Sequence, residues 1–178
     1  MSEVDRVRLS QLISHALRHH PDRFGIELSE FGWASLEKLA VGLSANVGYE
    51  ITVELLIDVI LVEGGTRYEM DDDLVRATYG HTQPVTIERE ASVPPELLYH
   101  GTLTEYLDSI RLQGLLRRNL HHVHLSSSPV LASEMGGRRG EHSVVTVDAQ
   151  AAYEAGLEFF QVSDEIWLVK EVPPQYLM

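Results

Sequence analysis

The chain has 178 residues, 44% hydrophobic and 23% charged, with 27 Asp+Glu against 14 Lys+Arg and a formal net charge of −13. That length allows one domain or two small ones with modest cores, and the acidity excludes a protein that coats nucleic acid with its whole surface, though not one that grips a single phosphate. Zero Cys removes disulfides, thiolate zinc sites and a cysteine nucleophile together, and no apolar run approaches the roughly 20 residues that cross a bilayer.

The start, Met1-Ser2-Glu3-Val4-Asp5, does not read as a signal peptide, so a cytoplasmic protein with no membrane partner is expected. Leu9, Leu12, Ile13, Ala16 and Leu17 follow helical spacing, which predicts an amphipathic helix over 4–20 stopped by Pro21. Its last turn carries Arg18-His19-His20, cations that complement the helix dipole without any ligand. Gly25 to Leu28 reads as a short extended piece, Phe31-Gly32 as a turn, and Trp33 to Ala40 as a second helix. Thr52 is placed to cap a third, with Leu55, Leu56, Val59 and Ile60 on its buried side.

Arg67 to Ala77, with three aspartates in the middle, predicts a hairpin with a charged tip. Three helices and a hairpin are the order of a winged helix, although the third helix carries Glu54, Asp58 and Glu63 and would read nucleic acid poorly. Arg76 and Arg18, at the wing and at the end of the first helix, are the better candidates. From Gln83 to Glu96 there is no clear period, and Pro84, Pro94 and Pro95 mark a seam. The expected domains are therefore 1–82, a linker at 83–96, and 97–178.

Beyond the seam the order is strand (97–101), helix (104–112), a turn at Gly114, a histidine-bearing strand (122–126) and a short helix (129–135). The Gly-rich stretch Gly136 to Gly140, a strand (143–148), a helix (149–155) and a last pair of strands near Phe159 and Trp167 follow. This is an α+β lobe. In an extended His121-His122-Val123-His124-Leu125-Ser126, His122, His124 and Ser126 share one face and Val123 and Leu125 the core face. Leu97 to Thr102 has the same look, an apolar entry ending on His100-Gly101-Thr102. The Gly-rich stretch is no phosphate loop, since it lacks the Gly-Lys-Ser/Thr ending and precedes a strand. No carboxylate or Cys near His121, His122 and His124 completes a ligand set, so no metal is expected.

These pieces together resemble the RNA 2′-phosphotransferases, the tRNA-splicing 2′-phosphotransferase enzymes, over nearly the whole chain. The matching residues are Leu17-Arg18-His19-His20-Pro21, Gly32-Trp33, Val75-Arg76-Ala77 with Gly80-His81-Thr82, and Leu98-Tyr99-His100-Gly101-Thr102. They continue with His122-Val123-His124-Leu125-Ser126, Gly136 to Gly140, Trp167-Leu168 and Val172-Pro173-Pro174. Each is weak alone; eight in one order are a strong signal.

The resemblance implies an N-terminal winged-helix lobe for RNA and a C-terminal, ADP-ribosyltransferase-like lobe for NAD. The proline-rich seam and the cations at element ends lead to the expectation of a cleft between them. It implies that the internal 2′-phosphate of RNA attacks the nicotinamide ribose and expels nicotinamide. The ribose 2″-hydroxyl then attacks phosphorus, leaving RNA with a 2′-hydroxyl and ADP-ribose 1″,2″-cyclic phosphate. Arg18, His19 and Arg76 would clamp the RNA 2′-phosphate. His100, Gly101 and Thr102 would hold the ADP-ribose part of NAD, with His124 and Ser126 beside the nicotinamide riboside and Arg138 supporting the pocket. NAD would be consumed, the RNA would carry a 2′-phosphate, and the protein would be a monomer.

Departures from the family pattern are Leu120 where an Arg is usual, Tyr79 where Gln is usual, Thr82 for Ser, and a short loop before Trp167. Arg118 lies on the face of Leu120, His122 and His124 if the segment is extended, and would then supply the missing charge. Three other readings stay open. They are ADP-ribosylation of a terminal nucleic-acid phosphate, a two-histidine phosphoesterase built on the two His-x-Thr/Ser motifs, and an RNA- or NAD-binding module without turnover.

Overall fold

The computed structural model describes residues 3–64, 67–137 and 140–178. The chain divides into two units, Met1–Glu88 and Arg89–Met178. Among the described residues no helix is long and apolar enough to cross a membrane.

In the first unit, α1 (Glu3–Arg18) buries Leu9, Ile13, Ala16 and Leu17. That stripe at helical spacing faces α2 (Leu36–Val47) and α3 (Val53–Val59). Thr52 caps α3 through its side chain, which accepts a hydrogen bond from Leu55 N at 3.2 Å. The second helix starts later than its periodicity suggests. Ala34–Ser35 first form β1, and Ser35 then caps α2 by accepting from Lys38 N. Gly42 lies where a Cβ would come within 2.0 Å of the Phe24 carbonyl oxygen, so α2 seats directly on that turn.

The expected extended piece at Gly25–Leu28 is not a strand. Gly25 (φ 64) closes a tight turn over Asp22–Phe24, and Ile26 N bonds back to the Pro21 carbonyl at 3.1 Å. The local backbone bonds are thereby used up before a strand partner can take them. The hairpin forms as β2 (Tyr68–Asp71) and β3 (Leu74–Ala77), turning at Asp72 with φ 50, a conformation Asp tolerates. With β1 it makes an antiparallel sheet in the order β1-β3-β2.

After β3 the chain crosses the end of α1. Thr82 N donates to the Arg18 carbonyl at 2.9 Å, and Gln83 Nε2 to the carbonyl of His19. These are carbonyls that a helix C-terminus leaves without partners. Residues 83–96 form neither helix nor strand. Thr86 N bonds the Glu30 carbonyl in the first unit, and Ser92 N the Phe159 carbonyl in the second.

The second unit is a five-stranded antiparallel sheet in the order β7-β4-β6-β9-β8. Its strands are β4 (Leu97–Leu103), β6 (Val123–Ser126), β7 (His142–Asp148), β8 (Phe159–Gln161) and β9 (Ile166–Val169). A two-residue pair, β5 (Leu115–Leu116) with β10 (Glu171–Val172), stands apart; such short pieces carry no readable period. One face of the sheet presents Leu98, Val123, Leu125, Val145, Val147, Phe159, Trp167 and Val169 to a core shared with α4 (Leu107–Gln113) and α6 (Ala149–Glu154).

The other face carries α5 (Pro129–Gly137), which approaches β4 so closely that neither backbone has room for a side chain. A Cβ on Gly101 would stand 1.7 Å from the Ala132 carbonyl oxygen, and one on Gly136 would meet the Gly101 carbonyl carbon at 2.8 Å. Gly101→Ala is therefore expected to destabilise the second unit by about 1–3 kcal/mol or more, the range of an overpacked core. Urea denaturation followed through the buried Trp167 checks this, and an unchanged midpoint would mean that α5 withdraws freely.

Candidate functional site

The expected site residues fall into two groups, one in each unit. The first is gathered at the C-terminus of α1. Arg18 leaves the last turn of the helix and lies between two rings, its guanidinium carbon 4.8 Å from the centroid of Tyr79 and 5.7 Å from that of Tyr68. Its Nε and Nη2 are buried and have no hydrogen-bond partner among the described residues, and no carboxylate there forms an ion pair with it. Burial pushes its pKa below the ordinary arginine value; Tyr68 and Tyr79 oppose that shift and the charge of Arg67 adds to it.

A buried charged donor left unsatisfied costs roughly 1–3 kcal/mol or more, so the arrangement is suited to an anion arriving from outside. His19, next in the chain, has Nδ1 3.2 Å from Thr82 Oγ1. Sequence reasoning passed over Arg67. Its Nη2 donates to Ser10 Oγ at 3.3 Å, and its guanidinium lies 5.7 Å from the Tyr68 ring, the ring that Arg18 also approaches. Two cations against one aromatic repel each other unless an anion joins them. No sequence period marks this pairing, because Arg67 precedes the hairpin and meets Arg18 only through the fold.

Arg76 is held differently. Its Nε and Nη2 reach Glu69 Oε2 at 2.8 and 2.6 Å, its Nη1 donates to the Phe31 carbonyl at 3.3 Å, and its guanidinium stacks on Trp33 at 4.6 Å. Glu69 and Arg76 face each other across β2 and β3, so this fork is already occupied by a cross-strand carboxylate.

The second group lies where the large sheet parts. Strands β4 and β7 pair along the whole of Leu97–Leu103, and β6 and β9 along Val123–Ser126. Between β4 and β6 the only register pair is Tyr99↔Ser126. Beyond it the strands separate into a fork with His100, Gly101 and Thr102 on one prong and His124 on the other. His100 reaches across this gap, and its Nδ1 donates to the His124 carbonyl at 2.9 Å, a bond the backbone ladder would otherwise supply. In the neutral ring the proton is then on Nδ1 and Nε2 is an acceptor. Burial lowers the His100 pKa, the bond to His124 raises it, and the positive charge of Arg118 lowers it further.

The pairing Tyr99↔Ser126 places His124 and Ser126 on the face of Tyr99, while His100 alternates to the face of Leu98. Two His-x-Thr/Ser motifs serving one phosphorus need both rings on a common face, so this geometry does not suit a two-histidine phosphoesterase. Thr102 is buried at the far end of the prong. Ser126 is buried too, and its Oγ accepts from Ser128 N at 3.0 Å, shaping the entry to α5. Gly101 is accounted for by α5, which leaves only its backbone to a ligand. His122 sits before β6 with its ring edge-on to Phe160 at 5.6 Å, and burial lowers its pKa, helped by the charges of His121, Arg89 and Arg117. Arg138 lies outside the described residues.

The segment before His122 is not extended, which removes the expected alignment of Arg118, Leu120 and His122. Leu120 N bonds the Arg117 carbonyl at 3.0 Å, and Arg118 turns at φ 52. Arg118 still comes to this region by another route, its guanidinium 4.4 Å from the Tyr106 ring centroid and its charge felt by His100.

Comparison with known proteins gives one consistent result. Residues 4–171 match the family described as "RNA 2'-phosphotransferase, Tpt1 / KptA family". Among curated relatives, proteins named "Probable RNA 2'-phosphotransferase" align along nearly their full lengths. That of Pseudomonas syringae pv. tomato is 36% identical over 180 residues, covering 99% of this chain and 96% of the relative. That of Nostoc punctiforme is 37% identical, covering 99% and 98%; that of Burkholderia lata is 39% identical, covering 97% and 90%.

The lowered pKa of His100 has a consequence for stability. As pH falls, the unfolded chain takes up this proton first, near the ordinary histidine value of about 6.5. The contribution of the neutral, hydrogen-bonded ring is thus complete above that pH and declines below it, until the folded pKa is passed. His122 acts in the same sense. In His100→Gln, which retains a side-chain donor but does not titrate, the drop in urea midpoint between pH 7.5 and 5.5 is expected to be smaller than in the native chain. An equal drop would remove His100 from the pH dependence.

Proposed function

The chain belongs to the RNA 2′-phosphotransferase family and is an enzyme of that class, and from this premise we propose that it removes an internal 2′-phosphate from RNA by transfer to NAD. The observation that carries the phosphate half of the reading is Arg18: a buried guanidinium, stacked on tyrosine, whose Nε and Nη2 find no partner among the described residues. Such an edge matches two oxygens of a phosphate dianion. Arg67 supplies a second cation, and His19, oriented by Thr82, a hydrogen-bonding imidazole. Arg76 joins the clamp only as far as Glu69 releases it. The phosphate is the nucleophile in this proposal, so it must be held without being protonated, a task for fixed arginine forks. A three-helix unit with a β-hairpin is consistent with a winged-helix RNA lobe.

For NAD, the fork between β4 and β6 is the fitting place. It offers the part-buried main chain at Gly101, the His100 Nε2 as an acceptor for a ribose hydroxyl, and the half-buried His124. We assign His100, Gly101, Thr102 and His124 to holding it, Ser126 to shaping the prong, and Arg138 to supporting the pocket, in an ADP-ribosyltransferase-like lobe. NAD supplies a ribose carbon with nicotinamide as leaving group, so the protein needs no covalent nucleophile of its own. Arg118, steadied on Tyr106, takes the place of the cation that Leu120 does not provide.

Mass spectrometry of a 2′-phosphorylated oligonucleotide incubated with NAD tests the reading. A 2′-hydroxyl RNA, nicotinamide and ADP-ribose 1″,2″-cyclic phosphate are expected; an ADP-ribosylated terminal phosphate as the sole product would overturn it. Arg18→Ala and Arg67→Ala are each expected to lower phosphate removal about 10- to 100-fold, the value of a charge-assisted hydrogen bond of roughly 1.5–3 kcal/mol, with NAD affinity unchanged. Arg76→Ala is expected to cost less activity than either. In Arg118→Ala, nicotinamide release should outrun the appearance of 2′-hydroxyl RNA more than in the native enzyme, as a quenched time course would record. Superimposable time courses would end the role of Arg118.

A further inference from the structure

Arg18 and Arg76 solve the same problem in opposite ways. Arg76 is steadied by Glu69, which occupies its Nε and Nη2. Arg18 is steadied by aromatic rings, which attract the cation through their faces. The Tyr79 side chain also hydrogen-bonds to it, and the Arg18 Nε and Nη2 are left without a partner among the described residues. Of the two rings, Tyr79 is the nearer, 4.8 Å against 5.7 Å for Tyr68. It belongs to the stretch that also fixes the Arg18 main chain, through Thr82 N to the Arg18 carbonyl at 2.9 Å. Gly80 (φ 82) brings the backbone alongside the same side chain; a Cβ there would lie 3.5 Å from Arg18 Cδ and 3.6 Å from Nη1. Residues 79–82 therefore hold Arg18 at its carbonyl, its methylene stem and its guanidinium.

We propose that Tyr79 is a positioning residue for the RNA 2′-phosphate: its ring fixes the plane of the Arg18 guanidinium, leaving the Nε–Nη2 edge unneutralised for two phosphate oxygens. The proposal rests on the reading that Arg18 receives that phosphate. A long arginine side chain has many rotamers, and ordering it in advance removes that cost from substrate binding. A carboxylate in the place of the ring would order it equally well and block the edge. The ring orders it and leaves the edge open.

The test combines kinetics with a measurement that needs no turnover. The Arg18 Nε–H resonance, assigned by its loss in Arg18→Lys, should be shifted by the ring current and resolved from the other arginines in the native chain. Tyr79→Phe keeps the ring and should keep that resonance and activity within about 3-fold. Tyr79→Ala and Tyr79→Gln should return the resonance to the crowded region and raise KM for a 2′-phosphorylated dinucleotide about 10-fold, with KM for NAD unchanged. Tyr79→Ala should add nothing in an Arg18→Ala background. If Tyr79→Ala fails to fold, Tyr79→Gln carries the comparison. An unmoved resonance in the ring-less variants, or equal rises in both KM values, overturns the proposal. A resonance that moves as expected in a protein that removes no phosphate from any RNA would leave the positioning role standing and overturn the function instead.

Discussion

In the N-terminal unit much of the local geometry follows from placing one guanidinium in a half-buried position without a carboxylate. Arg18 is the last residue of α1, so its carbonyl is one of those the helix cannot satisfy, and the chain segment that supplies the missing donor is the one that brings Tyr79 over its side chain. Tyr68 approaches from the hairpin, and Arg67 beside it adds a second positive charge. Helix, strap and hairpin thus meet at a cation whose Nε and Nη2 have no partner among the described residues. Natural proteins leave few buried donors unpaired, and under the proposed function this edge is kept for a phosphate.

The C-terminal unit has a complementary interruption. A sheet gains stability by completing its ladder, yet β4 and β6 share only Tyr99↔Ser126. The His124 carbonyl released by the gap is taken up by the His100 side chain, so the fork can remain open without leaving a buried acceptor. On the far side, α5 lies against Gly101 and Gly136 at a distance only glycine permits. The prong is therefore stiffened from behind, while towards β6 it has no ladder pair beyond Tyr99↔Ser126. Under the proposed function, preorganisation of this kind suits a ligand that itself brings the leaving group.

The acidity of the chain fits this division. With a formal net charge of −13, long-range attraction cannot draw a polyanion onto the surface as a whole, and under the proposed function recognition of RNA comes from a few donors aimed at one phosphate. Cations held by aromatic faces serve that end better than a cationic patch, because they keep their hydrogen bonds for the ligand.

What the sequence by itself determined is the periodic part. The stripe Leu9, Ile13, Ala16 and Leu17 specified α1, Thr52 specified the start of α3, the aspartates specified the hairpin tip, and alternation in Val123 to Ser126 specified which side of β6 faces the core. These are nearest-neighbour effects, written within a few residues. Order and type of motif along the chain were enough to identify the family resemblance as well. The late start of α2 and the pair of β5 with β10 depended on bonds to distant partners, which no local pattern carries. The turns at Gly25 and Arg118 close through nearby backbone bonds that hydrophobic periodicity does not record. The same holds for the site. Arg76 and Arg67 look alike as letters, but one is cancelled by a glutamate across the hairpin and the other is set beside Arg18. Gly101 and Ser126 read as ligand residues, and the structure shows that each also serves the packing or entry of α5. Only tertiary structure decided which cations keep donors to spare, because that depends on what else each guanidinium touches.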